Sequence, residues 1–119
     1  MSDTPENIRP WGRYDILDTG TGFQVKRIRV LKGERLSYQR HQKRSEVWVI
    51  VQGEARITLD DVDTEHKKGD VIQIPIQIKH RVMNCGEEEL VFIETQLGDY
   101  LGEDDIERFS DDYGRCKTA

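Results

Sequence analysis

Gln39, His41, Glu46 and His80 are the residues of this chain best suited to chemistry. Two imidazoles, one carboxylate and one amide oxygen make a ligand set for a divalent transition metal. They lie in two short segments framed by glycine or proline. The first runs from Gly33 to Glu46 and closes at Gly53, and the second runs from Gly69 through Pro75 to His80 and Asn84. On a strand, Gln39 and His41 would share one face, because side chains alternate with period two. The chain has only three histidines, and two of them fall in these segments. A lone histidine near a strand is usually structural; here the combination of types points to a metal.

Such ligands need strands to hold them. Short runs rich in β-branched and aromatic residues recur at residues 13–17, 23–31, 35–39, 46–51, 55–59, 71–74, 80–83 and 90–95. Gly, Asp or Pro bounds most of them, and Gln52-Gly53 reads as a tight turn. Many short strands without intervening helices predict an all-β fold, closed or sandwiched. Residues 1–8 read as a loose tail, 9–115 as one domain and 116–119 as a second tail. The acidic stretch from Leu101 to Phe109 predicts one short C-terminal helix, its early acids matching the helix dipole and Ile106 and Phe109 pinning it to the barrel. Asp104, Asp105, Asp111 and Asp112 lack the spacing of a calcium loop.

Alternation also assigns faces. Glu46, Trp48 and Ile50 share one side of their strand, and Val47, Val49 and Val51 the other. With both sides apolar beyond Glu46, that strand is expected to be buried on both, one side lining a barrel and the other meeting a second sheet or a second subunit, so a homodimer is expected. If Ile28 and Val30 face inward, Lys26 does too. A lysine among inward residues needs an anion or a carboxylate, which makes Lys26 a candidate for phosphate binding or proton transfer, or else a salt-bridged residue at the rim.

The 119 residues suit one domain with one core. A net charge of −5 without a basic face argues against nucleic acid. No stretch approaches the roughly 18 apolar residues of a membrane-spanning helix, and the N-terminus lacks the pattern of a signal peptide. Cys85 and Cys116 have no metal or redox spacing and read as free thiols of a cytoplasmic protein.

The spacing from Gly33 through Gln39 and His41 to Glu46, and from Gly69 through Pro75 to His80 and Asn84, resembles the two signature segments of the cupin superfamily. The resemblance implies a jelly-roll β-barrel with a metal inside it. Gln39 stands where a first histidine is usual, and Gln77 where a glycine is usual. Gln39, together with Arg9-Pro-Trp-Gly12, Lys26-Arg27, Arg44, Lys79-His80-Arg81 and the tail from Gly98 to Arg115, resembles the type II mannose-6-phosphate isomerase domain. That domain usually forms the C-terminal part of a bifunctional mannose-1-phosphate guanylyltransferase, and 119 residues leave no room for the nucleotidyltransferase. This chain departs from the family at Gln42 and Lys43, in a histidine run that begins at position 41, and at Val47, where a histidine is common.

The resemblance implies interconversion of mannose 6-phosphate and fructose 6-phosphate, with a sugar phosphate as partner. Gln39, His41, Glu46 and His80 would hold the ion; zinc is the first choice, and manganese, cobalt, nickel or iron suit the same ligands. Proton transfer between C1 and C2 needs a base. Lys26 is the first choice, ahead of Glu46, since a carboxylate bound to metal is a weaker base. Arg44, Arg81, Arg108 and Arg115 are candidates for the phosphate, because a planar guanidinium binds it bidentately. The resemblance favours Arg115, which joins Lys26 as a catalytic residue, while Arg44, Arg81 and Arg108 would bind substrate; solvated surface positions suit Arg44 and Arg81 equally well. The alternatives are a non-catalytic metal- or sugar-binding cupin, a cupin acting on another sugar phosphate, and an oxygenase, against which Gln39 counts.

Overall fold

The structure, a computed structural model, describes residues 7–114. Eleven strands follow one another: β1 (Ile8–Arg9), β2 (Gly12–Gly20), β3 (Phe23–Val30), β4 (Tyr38–Arg40), β5 (Arg44–Gln52), β6 (Glu54–Leu59), β7 (Val62–Lys67), β8 (Val71–Ile74), β9 (His80–Asn84), β10 (Leu90–Gly98) and β11 (Glu107–Ser110). They form a six-stranded sheet in the order β1-β2-β3-β10-β5-β8 and a five-stranded sheet in the order β11-β4-β9-β6-β7. All the pairings are antiparallel. This is the all-β fold that the strand rhythm predicts, arranged as the jelly-roll barrel that the resemblance implies.

The core follows from alternation. Inward positions of β3, β5 and β10 supply Ile28, Val30, Trp48, Ile50 and Phe92, and the other sheet answers with Ala55, Ile57 and Val82. The polar inward residues gather at one end of the same strands, where Lys26, Arg44, Glu46, Glu94 and Gln96 are all buried. One end of the barrel is thus a dry apolar core and the other a charged cavity. The outward face of β5 is half-covered rather than enclosed: Val47 and Val49 are intermediate, and Val51 is 38% exposed.

Two elements differ from expectation. Residues 62–67 form β7, an almost wholly exposed edge strand whose charged sequence carries no alternation. The helix expected near residues 101–109 does not form, and the described residues contain no α-helix. Residues 101–106 are loop and turn, and β11 pairs with β4. Tertiary contacts outweigh the helical preference because the acids are used elsewhere: Glu103 pairs with Lys26, and the Asp105 carboxylate accepts the backbone N–H groups of Gln42 and Lys43. Cys85 is a free, exposed thiol, while Cys116 lies outside the described residues. No described helix is long and apolar enough to cross a membrane.

Candidate metal centre

His41, Glu46 and His80 are buried, and one ligand atom from each lies within 4.8 Å of the others. Glu46 comes from β5, His80 opens β9, and His41 sits in the connection after β4 rather than on the strand. Gln39 is on β4 in register with His80 and lines the same cavity. Gln77 keeps the left-handed conformation that glycine usually supplies, at φ 71°. Its N–H bonds the His41 carbonyl at 2.8 Å, so the turn after Pro75 fixes the backbone of a residue in the other segment.

The imidazoles are oriented for metal. Nδ1 of His41 lies 2.6 Å from the Asp105 carbonyl, and Nδ1 of His80 lies 3.0 Å from the Ile78 carbonyl. A carbonyl can only accept, so each Nδ1 carries the proton and each Nε2 keeps its lone pair. Metal-binding histidines are held by this kind of outer bond. The Gln39 amide nitrogen donates to Ser37 Oγ at 2.9 Å, which leaves its carbonyl oxygen as the end suited to a cation. Glu46 Oε1 accepts the Trp48 indole N–H at 2.9 Å, and Oε2 accepts Arg44 Nε at 2.8 Å. Arg44 Nη2 also lies 3.2 Å from His41 Nε2. The guanidinium therefore ties together two of the prospective ligands, and a divalent ion on those atoms would replace its bonds. The donors present, two neutral imidazoles, a carboxylate and an amide oxygen, fit such an ion.

Burial, followed by the nearby Arg44 charge, lowers the His41 pKa to about 4. Burial also lowers His80, against the opposing pull of the Ile78 carbonyl. His41 therefore stays neutral and available well below the usual imidazole range, and burial biases His80 the same way. An ordinary imidazole would lose about tenfold in metal affinity on going from pH 7.5 to 5.5, or about 100-fold for two. We expect titration calorimetry with zinc to show a loss well short of about 100-fold over that interval, because His41 contributes almost none of it and burial favours neutral His80 too; a loss of about 100-fold would contradict the arrangement. The same depression works against the metal-free fold. Between about pH 6.5 and 4 the unfolded chain binds protons that the folded chain refuses at His41, so stability falls on acidification through this window.

The rest of the cavity is charged. Lys26 projects inward from β3, its Nζ 2.9 Å from Glu103 Oε2 and 4.4 Å from the centre of the Tyr14 ring. Glu94 of β10 is in register with Lys26 on one side and Trp48 on the other. Burial, followed by the Glu46 charge, raises its carboxyl to about 7, and Gln96 donates to it at 2.7 Å. Glu94, Glu103 and Asp105 are site residues that ligand spacing alone does not single out. For Glu94 a signal exists, since Phe92, Glu94 and Gln96 continue one inward face.

The arginines divide. Arg44 is buried beside Glu46. Arg108 lies on β11 in register with Gln39 and lines the cavity. Arg81 follows the inward His80 on β9, and its side chain donates to the carbonyls of Leu36 and Ser110, bracing the approach to β4 and the end of β11. Arg115 lies outside the described residues. The cavity volume is ≈ 90 Å³, several times the ~10–15 Å³ of probe volume that one water needs, and so room for a partly hydrated ion.

Residues 2–111 match the family described as mannose-6-phosphate isomerase C-terminal. Over 110 residues the chain is 50% identical to alginate biosynthesis protein AlgA of Pseudomonas aeruginosa and 48% identical to mannose-1-phosphate guanylyltransferase of Salmonella montevideo. Each match covers 92% of this chain but 23% of the relative, so the chain spans about a quarter of their length. Among solved structures, the capsular polysaccharide assembling protein CapF of Staphylococcus aureus superposes with a TM-score of 0.73 at 21% identity, over 87% of this chain and 33% of that one. A double-stranded β-helix protein of Klebsiella pneumoniae gives 0.71 at 20% identity, over 86% and 92%. Another solved neighbour is described as a cupin superfamily protein. These likenesses are of fold, and the fold is a cupin. Because the family match runs through nearly all of the barrel and relatives near half-identity cover nine-tenths of the chain, the protein belongs to the mannose-6-phosphate isomerase C-terminal family.

Proposed function

We propose that this chain is a metal-dependent aldose–ketose isomerase that interconverts mannose 6-phosphate and fructose 6-phosphate. The observation that carries the reading is the buried His41–Glu46–His80 cluster, its imidazole lone pairs turned into a cavity that also holds Lys26 and Glu94. Gln39, His41, Glu46 and His80 would hold the ion, with zinc as first choice and manganese, cobalt, nickel or iron as substitutes. A bound divalent ion supplies polarisation of a carbonyl oxygen and stabilisation of developing negative charge.

The chain's own groups would move the proton and grip the sugar. Lys26 is held by Glu103, and Glu94 stands in register with it across β3 and β10. A carboxyl poised at about 7 can both take and return a proton near neutral pH, so Glu94 is a second candidate acid–base group, and it carries the proton where Lys26 instead meets the phosphate. Trp48 and the apolar core behind it close the inner end against water.

The test is conversion itself. Metal-reconstituted protein is incubated with mannose 6-phosphate and the appearance of fructose 6-phosphate is followed by NMR. Metal-dependent conversion that disappears on chelation and in His80→Ala is the expected result. A stoichiometrically bound ion with no conversion under any divalent metal would move the function to another sugar phosphate or to a binding role.

A further inference from the structure

The mouth of the cavity is crossed by the segment between β10 and β11. Two acids of this strap reach the barrel and do different work. Asp105 anchors it: its carboxylate accepts the N–H groups of Gln42 and Lys43, and its carbonyl holds His41 Nδ1. Glu103 anchors little. Its Oε2 lies 2.9 Å from Lys26 Nζ and 4.0 Å from Arg44 Nη1, while its own side chain is 59% exposed. One oxygen thus serves two cations that are 5% and 7% exposed, and Arg44 Nη1 is buried with no hydrogen-bond partner among the described residues. Arg9 adds a third positive group at this end, its guanidinium 4.9 Å from the centre of the Tyr14 ring that also carries Lys26.

A buried, unpartnered guanidinium N–H is costly unless a ligand meets it. A carboxylate that reaches one cation closely and the other only at 4.0 Å is a poor fit to this seat. A phosphate monoester carries three acceptor oxygens and nearly two charges, enough to meet Lys26 and Arg44 together. Position points the same way: Glu103 lines the cavity beside Lys26 and Arg44, so a ligand phosphate meets both cations only where this carboxylate gives way.

We propose that Glu103 is a displaceable internal anion, whose carboxylate occupies the seat on Lys26 and Arg44 that the phosphate of the ligand takes when the strap opens around it. The phosphate ester as ligand class rests on the isomerase reading; the displaceable carboxylate rests on the geometry alone. Removing the competing charge leaves the seat unplugged, so phosphate affinity rises by the factor that the closed state had withheld.

The test is binding to chelator-treated protein, measured by titration calorimetry with inorganic phosphate, mannose 6-phosphate and mannose as probes. Glu103→Gln and Glu103→Ala are compared with wild type, with circular dichroism confirming the fold. Both variants should bind inorganic phosphate and mannose 6-phosphate about five- to tenfold more tightly, with mannose unchanged, and adding Lys26→Met to either should remove the gain. Unchanged or weaker phosphate binding in folded variants would overturn the proposal, as would an equal gain for mannose. The two readings fail separately. Tighter phosphate binding without sugar conversion keeps the plug and sinks the isomerase; conversion by wild type with phosphate affinity indifferent to residue 103 does the reverse.

Discussion

Glu46→Gln is expected to lose its metal and to reduce turnover to background. The Glu46 carboxylate accepts from Trp48 Nε1 at 2.9 Å and from Arg44 Nε at 2.8 Å, and one oxygen lies 3.4 Å from His41 Nε2. All of this happens in a buried site. An amide is nearly the same size but has only one accepting atom. Its NH₂ must face either the indole N–H or the guanidinium, setting donor against donor and leaving Arg44 as a buried charge without its carboxylate. Breaking such a pair typically costs about 3–5 kcal/mol. The ion loses its only anionic ligand in the triad. Even partners one bond further out cost 10–100-fold in metal affinity, so we expect at least ~100-fold here. Metal content by elemental analysis and conversion by NMR read the two losses. A folded Glu46→Gln protein that kept a stoichiometric ion and wild-type turnover would remove Glu46 from the site.

Phe92→Ala should be the most damaging core truncation for stability. Phe92 is fully buried on β10, in register with Ile28 on one side and Ile50 on the other. Its ring centre lies 4.9 Å from that of Trp48. Removing it leaves a cavity that antiparallel strands hydrogen-bonded on both sides cannot close, and such truncations cost about 3–5 kcal/mol. At this chain length that is a drop of roughly 10–20 °C in Tm. The injury reaches the site, because Trp48 also meets His80, at 5.7 Å between ring centres, and donates to Glu46. Val62→Ala serves as the contrast: Val62 is mostly exposed on β7, and its loss should stay within about 0.5 kcal/mol. Denaturant melts decide the matter, and a Phe92→Ala midpoint close to that of Val62→Ala would mean that the core is not organised around this ring.

How much of the fold and site is legible in the sequence follows from where each residue obtains its position. Strand alternation is local, so the inward set Glu46, Trp48 and Ile50 and the inward turn of Lys26 can be read from the order of residues alone. Ligand chemistry is also local, which is why His41, Glu46 and His80 stand out. Glu94 is readable by the same alternation, but a carboxylate inside an otherwise apolar strand looks like an exposed one until its neighbours are known. Glu103 and Asp105 are not readable. Acids early in a short segment fit a helix start by local preference, and only Lys26, Gln42 and Lys43, far away in sequence, give them other work. Pairing of β11 with β4 is equally non-local, as is β7, whose charged sequence is held by its neighbour β6 rather than by a buried face.

The two sheets are not equally stitched. β10 is paired along its length with both β3 and β5, whereas β4 meets β9 through the register pair Gln39 and His80, with residues 34–36 before it adding only an Arg35–Met83 bridge and two backbone hydrogen bonds. The wall made of β4 and β11 is therefore the compliant part of an otherwise stiff barrel, and its local opening costs far less than global unfolding. The register pair of β4 with β9 itself consists of two of the residues suited to hold an ion. Anything that clamps Gln39 to His80 lengthens this short ladder, so loading the site and stiffening its wall are a single physical event.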